Sequence, residues 1–205
     1  MSPRPRKVTD QQLFAAARAV MSKVGPRKLT LAAIANEAGV TAAVLVQRFG
    51  SKRSLLLALF EEVANGASEF MAALAKQHAS PLAALFAYAD CMAGMAASPA
   101  AVARNLAYLQ IDLTDPDFRR HLVKQARATR AAFARLVQAA VQAGELARNV
   151  QPRPLARTVE ATMNGSMLTW AFYQQGTAAQ WIRADLNAVL APYLRKRRGS
   201  GIATQ

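Results

Sequence analysis

Three observations predict an all-α chain. Ala, Leu, Arg, Gln and Met, all good helix formers, dominate its 205 residues. No Val/Ile/Thr alternation runs long enough to make a strand. Thr, Ser-Pro, Asp-Pro and Gly recur at intervals that start and stop helices.

The elements follow in order. Thr9 can cap a first helix ending near Gly25-Pro26, Thr30 a short second one ending at Gly39, and Thr41 a third reaching about Phe49. Ser51 starts a longer fourth helix. Ser80-Pro81 opens a fifth to about Ala97, Ser98-Pro99 a sixth to about Ile111, and Asp115-Pro116 a long seventh closed by Gly144. Pro directly after Ser or Asp suits the first helical position, whose N–H has no intrahelical partner to lose. Pro152 and Pro154 precede an eighth helix running to Gln175, and Thr177 caps a ninth ending near Tyr193. The first three helices are short and basic, while the later ones are longer and richer in Met and aromatics. A helix-turn-helix domain over 1–52, a second domain over 53–195 and a disordered tail over 196–205 are therefore expected.

Composition narrows the function. With 53% hydrophobic residues the chain can bury a sizeable core, yet no apolar run approaches the roughly 20 residues that span a bilayer. The start, MSPRPRKVTD, is charged with no apolar segment behind it, so export is not expected. The single cysteine, Cys91, cannot form an intramolecular disulfide, which suits a reducing cytoplasm. Net charge is +14, from 26 Lys and Arg against 12 Asp and Glu. Before Ser54, Arg4, Arg6, Lys7, Arg18, Lys23, Arg27, Lys28, Arg48, Lys52 and Arg53 face only Asp10 and Glu37. A polyanion partner near the N-terminus is expected, either nucleic acid or an anionic membrane. A membrane-surface protein would concentrate cations on one amphipathic helix; these bracket residues 30–49 instead. An enzyme would need convergent nucleophiles, bases or ligands. His78, His121 and Cys91 are far apart, without Cys-x-x-Cys, His-x-x-x-His or a Gly-rich phosphate loop. No catalytic residue, metal or cofactor is expected.

The stretch IANEAGVTAAVLVQRFGSK, residues 34 to 52, carries the motif. Thr30 and Thr41 stand where a side-chain oxygen can accept a first-turn N–H, and Gly39 allows a tight turn between two helices. Leu31, Ile34, Ala35 and Ala38 fall on one side of the first helix, with Val40, Leu45 and Phe49 facing them. At about 100° per residue, Ala43, Val44 and Gln47 then point outward, with Val46 and Arg48 on the shoulders. A buried hairpin in an ordinary bundle would also account for Val44 and Val46. The bracketing Arg27, Lys28, Arg48, Lys52 and Arg53 favour phosphate contacts.

Thr30, Ile34-Ala35, Ala38-Gly39-Val40-Thr41, Leu45, Phe49, Ser51-Lys52 and Leu55-Leu56 stand in the order and spacing of a known N-terminal signature. Over about residues 8–60 the chain resembles the TetR-type transcriptional regulators. A weaker likeness extends to Thr114-Asp115-Pro116-Asp117-Phe118-Arg119 and to Trp170, Trp181 and Ala191-Pro192-Tyr193. The resemblance implies a nine-helix, two-domain homodimer that binds operator DNA and releases it when a small molecule occupies the C-terminal domain, without enzymatic activity. Three positions depart from it. Val46 stands where a DNA-contacting Tyr is common, Ala42 at an often polar position, and Gly50 where Pro is frequent.

A repressor that releases its operator on binding a small hydrophobic effector is thus the expected function. A DNA-binding dimer without ligand and a basic membrane-surface protein are the alternatives. The expected DNA contacts are Arg27, Lys28, Thr30, Thr41, Ala42, Ala43, Val44, Val46, Gln47, Arg48 and Lys52, with Arg4, Arg6 and Lys7 as an arm. Ala43, Val44 and Val46 can pack on thymine methyls, leaving Gln47 to read an adenine and Arg48 a phosphate or guanine. Met92, Met95, Met163 and Met167 are adaptable fillers, and Tyr88, Asn105, Tyr108, Gln125 and Asn164 are polar groups in apolar helices. With Cys91 they form the expected effector pocket, for a neutral or anionic, mainly hydrophobic molecule. Gly165, Ser166, Trp170, Trp181, Val189, Leu190 and Tyr193 are expected in a four-helix dimer interface, about half of them crossing the dyad. The partners are then a near-palindromic duplex, a second copy of the chain and the effector, with no membrane.

Overall fold

A computed structural model describes residues 8–195. Among them are nine α-helices: α1 (Asp10–Lys23), α2 (Leu31–Glu37), α3 (Ala42–Phe49), α4 (Lys52–Gln77), α5 (Pro81–Met95), α6 (Pro99–Thr114), α7 (Pro116–Gln142), α8 (Pro152–Tyr173) and α9 (Ala178–Leu190). A 3-10 turn, Ala191–Tyr193, follows α9. No single described helix is long and apolar enough to cross a membrane.

The caps explain most of these boundaries. Thr9 accepts from the Gln12 N–H while the Gln12 side chain takes the Thr9 N–H at 2.9 Å, a reciprocal box that satisfies two orphan donors. Thr177 and Gln180 repeat it at α9. Thr30, Ser80 and Ser98 accept from the N–H three residues on. Thr41 does not: its backbone has the extended cap conformation, but its side chain makes no capping bond. The sixth helix runs past Ile111 to Thr114, where the Asp115 N–H still reaches the Ile111 carbonyl and Pro116 ends the ladder.

The chain divides into two compact units. One holds the described residues up to Ala67 together with Ala97–Arg127; the other holds Ser68–Ala96 together with the described residues from Ala128 onward. The first unit is built around Leu13, Phe14 and Ala17 of α1, Leu29, Ile34 of α2, Leu45 of α3, Leu55 and Leu59 of α4, Tyr108 of α6 and Phe118 of α7. These recur at helical spacing, so each helix turns one stripe inward. Phe14 meets Phe49 with ring centroids 5.8 Å apart, and Phe60 meets Phe118 edge-on at 5.5 Å.

In the second unit α8 packs extensively on α9. The buried Ser166 hydroxyl lies 2.7 Å from both the Thr162 carbonyl and Asp185 of α9. Arg183 of α9 pairs with Asp90 of α5 and covers the Phe86 ring at 5.6 Å. Tyr88 sets its edge against Phe133 at 5.0 Å. An isolated antiparallel bridge joins Leu146 to Leu194, flanked by bonds from the Ala147 N–H to the Tyr193 carbonyl and from the Arg195 N–H to the Glu145 carbonyl.

Two glycines of the first unit have left-handed backbone, Gly39 (φ 68°) between α2 and α3 and Gly50 (φ 77°) after α3. A proline, fixed near φ −65°, cannot take the Gly50 conformation. Gly39→Ala meets no steric crowding, so its cost is the left-handed backbone alone, about 1–2 kcal/mol. Gly66→Ala, in mid-α4 with equal space and no positive φ, should instead add about 0.5–1 kcal/mol. Urea denaturation of both variants checks the opposite signs.

Candidate nucleic-acid interface

The turn between α2 and α3 is closed by backbone bonds, from Ala38 N–H to the Ile34 carbonyl (3.0 Å) and from Val40 N–H to the Ala35 carbonyl (2.9 Å). Ile34 and Ala35 on one side and Leu45 on the other are buried, so α3 is held by apolar packing. That packing fixes its outward face. Ala43, Val46 and Gln47 are exposed, Val46 to 49%, and Val44 is half-buried. Thr30 and Thr41 are exposed at the two helix starts, while Ala42 packs partly against the core. The face is methyl-rich, with Gln47 as its amide.

The cations around it divide into two groups. Arg48 donates to the Val8 carbonyl at 2.6 Å and pairs with Asp10, tying α3 to the start of α1. Lys52 turns its ammonium onto the carbonyls of Pro26 (3.3 Å) and Leu29 (2.9 Å). Arg53 donates to Asp115 and Asp117 and lies 5.5 Å from the Phe118 ring centroid. Those hydrogen bonds, Asp117 first, raise the Arg53 pKa, and Arg53 in turn lowers that of Asp115. Arg27 and Lys28 are exposed and have no ion pair among the described residues. Arg48 and Lys52, expected as clamps on the duplex, therefore make intramolecular contacts because carbonyls and a carboxylate lie within their reach.

The loop carrying Arg27 and Lys28 is pinned from inside. Besides the two Lys52 bonds, the Val24 carbonyl accepts from the Tyr108 hydroxyl at 3.0 Å. Burial pushes this phenol up to about 12. On the same helix Asp112 buries one carboxylate oxygen without a partner, and desolvation pushes its pKa up to about 6.

The residues expected to form a pocket are divided between the two units. Asn105, Tyr108 and Gln125 belong to the first unit, and Tyr88, Cys91, Met92, Met95, Met163, Asn164 and Met167 to the second. Tyr108 is a core residue of the first unit, its hydroxyl satisfied by the loop rather than by a cavity. Met92 and Met163 are buried and Tyr88 and Met167 half-buried, whereas Cys91, Met95 and Asn164 are exposed. Asn164 donates to the Glu160 carbonyl of its own helix. Of the residues expected at a dimer interface, Ser166, Trp170 and Leu190 are instead buried in the chain's own core, the Trp170 indole donating to the Gly176 carbonyl. Gly165 and Tyr193 are exposed, and Trp181 and Val189 half-buried. Arg4, Arg6, Lys7 and the 196–205 tail lie outside the described residues.

Two features went unread in the sequence. Tyr108 is 84 positions from its acceptor and Arg53 over 60 from its carboxylates, so no local pattern announces either pair. Asp10 was open to reading, being one of only two acids before Ser54 and hence a natural partner for a nearby arginine.

Tyr108→Phe should leave the Val24 carbonyl without its donor and lower stability by about 1–3 kcal/mol in chemical denaturation. Asp112 gives a pH signature. With its folded value about 6 against an ordinary 3.8, its stabilising contribution is complete below pH 3.8 and lost as pH rises through about 6. Asp112→Asn should therefore melt higher than wild type at pH 7, with the difference shrinking towards pH 4. A constant difference across that window would refute the assignment.

Comparison with known proteins agrees with this geometry. The sequence model "Bacterial regulatory proteins, tetR family" matches residues 13–59, and "Tetracyclin repressor-like, C-terminal domain" matches residues 106–186. Among solved structures, a TetR transcription regulator from Haloarcula marismortui superposes with TM-score 0.73 at 14% identity, covering 91% of this chain and 98% of that one. Reduced NemR from E. coli gives 0.71 at 16% identity, with 92% and 98% coverage. FadR from Bacillus subtilis, in complex with stearoyl-CoA, gives 0.67 at 18%, with 89% and 98% coverage. No curated sequence matches. At these identities the structural likeness is one of fold, and it agrees with the two sequence matches: the chain belongs to the TetR family of bacterial regulatory proteins, DNA-binding regulators of transcription.

Proposed function

We propose that the protein is a homodimeric repressor that reads a near-palindromic operator through α3 and releases it on binding a small, mainly hydrophobic ligand. The observation that carries the DNA reading is the face of α3. Ala43, Val46 and Gln47 stand exposed on a helix whose opposite side is locked by Leu45, a shape and size that suit a major groove. Methyls from Ala43, Val44 and Val46 pack on thymine C5-methyls, and the Gln47 amide pairs with an adenine edge. Arg27 and Lys28 supply phosphate contacts from the pinned loop, with Thr30 and Thr41 at the two helix starts.

One recognition helix reads only a few base pairs, so a second copy about one helical turn away, ~34–36 Å, is required for specificity. The surface offered for pairing is apolar. Phe172 is 70% and Tyr173 63% exposed at the end of α8, Tyr173 stacks on Trp181 with ring centroids 5.6 Å apart, and Gly165 and Tyr193 are exposed as well. Ligand control is supported by buried Met92 and Met163 with half-buried Tyr88 and Met167 in the second unit, a flexible set that can reshape around a guest. The likeness in fold to FadR, solved with stearoyl-CoA, supports the same reading.

Selection from a random duplex pool, followed by binding of variants, tests the DNA assignment. Gln47→Ala should cost roughly 1–3 kcal/mol at one base pair of each half-site and relax discrimination there. Lys28→Ala should weaken every duplex alike and lower the salt slope by about one per phosphate contact removed. Equal loss on operator and random DNA for Gln47→Ala would remove it as a base reader. Sedimentation velocity at micromolar concentration tests the dimer, which a single 22.0 kDa species would exclude.

A further inference from the structure

The first unit contains a cleft of about 870 Å³ between the end of α1, the loop after it, the first residue of α4 and one face of α6. Val24, Pro26, Ala107 and Ile111 give it apolar walls. Five of the lining residues are cationic, Lys23, Arg27, Lys28, Lys52 and Arg104, and none is acidic. Such a combination fits neither a solvated basic surface, which has no apolar walls, nor a purely hydrophobic groove.

Arg104 distinguishes the cleft further. Its Nε is buried and has no acceptor, and the guanidinium joins no ion pair among the described residues. A buried N–H without an acceptor is destabilising. Lys23 already holds Glu37 at 2.9 Å and Lys52 holds two carbonyls, so neither neighbour lacks a partner. Arg104 does, and its planar fork is built to take two oxygens of one anion.

We propose that this cleft binds a small amphipathic anion: a carboxylate or phosphate monoester meets the Arg104 guanidinium while its apolar body lies on Val24, Pro26, Ala107 and Ile111. A nucleic-acid backbone fits less well. A phosphodiester strand has no apolar body to cover these walls, and Arg104 belongs to α6 rather than to the helix-turn-helix. The site lies wholly within the first unit and shares no residue with Tyr88, Met92, Met163 and Met167 of the second. Arg27 and Lys28 line the cleft and also serve the proposed phosphate contacts, so a bound anion offsets the positive potential that the loop presents to DNA.

Isothermal titration calorimetry of the full chain without DNA tests the site apart from any claim about operators. The probes are octyl phosphate and octanoate, with octanol and inorganic phosphate as controls. Octyl phosphate should bind at least roughly tenfold more tightly than either control, because charge and chain are both required. Arg104→Gln should remove most of that preference over octanol. Ala107→Leu, which fills the cleft and leaves every charge in place, should weaken octyl phosphate by roughly tenfold or more. Circular dichroism reports whether each variant folds, and Ala107→Leu alone decides the matter if Arg104→Gln does not. Octanol or inorganic phosphate binding as tightly as octyl phosphate would overturn the proposal. So would unchanged octyl phosphate binding in a folded variant.

Discussion

Three backbone carbonyls in the loop between α1 and α2 are held by two side chains from elsewhere in the first unit, and the placement of α2 and α3 depends on them. Tyr108 of α6 takes the Val24 carbonyl, and Lys52 of α4 takes those of Pro26 and Leu29. These three acceptors are paired inside the unit, while Arg27 and Lys28 of the same loop are exposed. The loop also delivers Thr30 to α2 as a cap, and α2 in turn places α3 through Ile34, Ala35 and Leu45. The loop that leads into α2 is thereby tied directly to α4 and α6.

Net charge alone does not say which cations already hold partners within the chain. Arg48, Lys52 and Arg53 all belong to the basic N-terminal quarter, yet each is occupied by Asp10, by carbonyls, or by Asp115 and Asp117. These cations assemble the first unit. Their neighbours Arg27 and Lys28 are exposed and hold no ion pair among the described residues, and they sit on the pinned loop rather than on α3. Exposed ion pairs of this kind contribute little stability individually; the Arg53 pairs with two carboxylates instead set where the start of α7 meets the start of α4.

Nearly all the helices were legible because their starts are chemical. A Thr or Ser oxygen three residues before a free N–H, or a Pro at the first helical position, marks Thr9, Thr30, Ser80, Ser98 and Thr177 without any tertiary information. Thr41 shows the limit, since its backbone obeys the rule and its hydroxyl does not. The turn at Gly39 and the inward Leu45 were readable from periodicity. Residue roles that depend on distant partners were not. Tyr108 reads as a pocket residue in an apolar helix until Val24 is seen beside it, and Ser166 and Trp170 read as interface until α9 and Gly176 meet them. Burial says which side of a helix is inside, but sequence alone does not say whose inside it is.

Because Ala43, Val44 and Val46 offer methyl groups and no hydrogen-bond donors, the proposed readout at those positions responds to a substituent rather than to a base. The C5-methyl is common to thymine and 5-methylcytosine and missing from uracil. Cytosine methylation inside a half-site would then create an apolar contact where none was encoded, and replacing thymine by deoxyuridine would delete one without touching Watson–Crick pairing. Under that readout, operator occupancy would respond to the epigenetic state of the DNA as well as to its sequence.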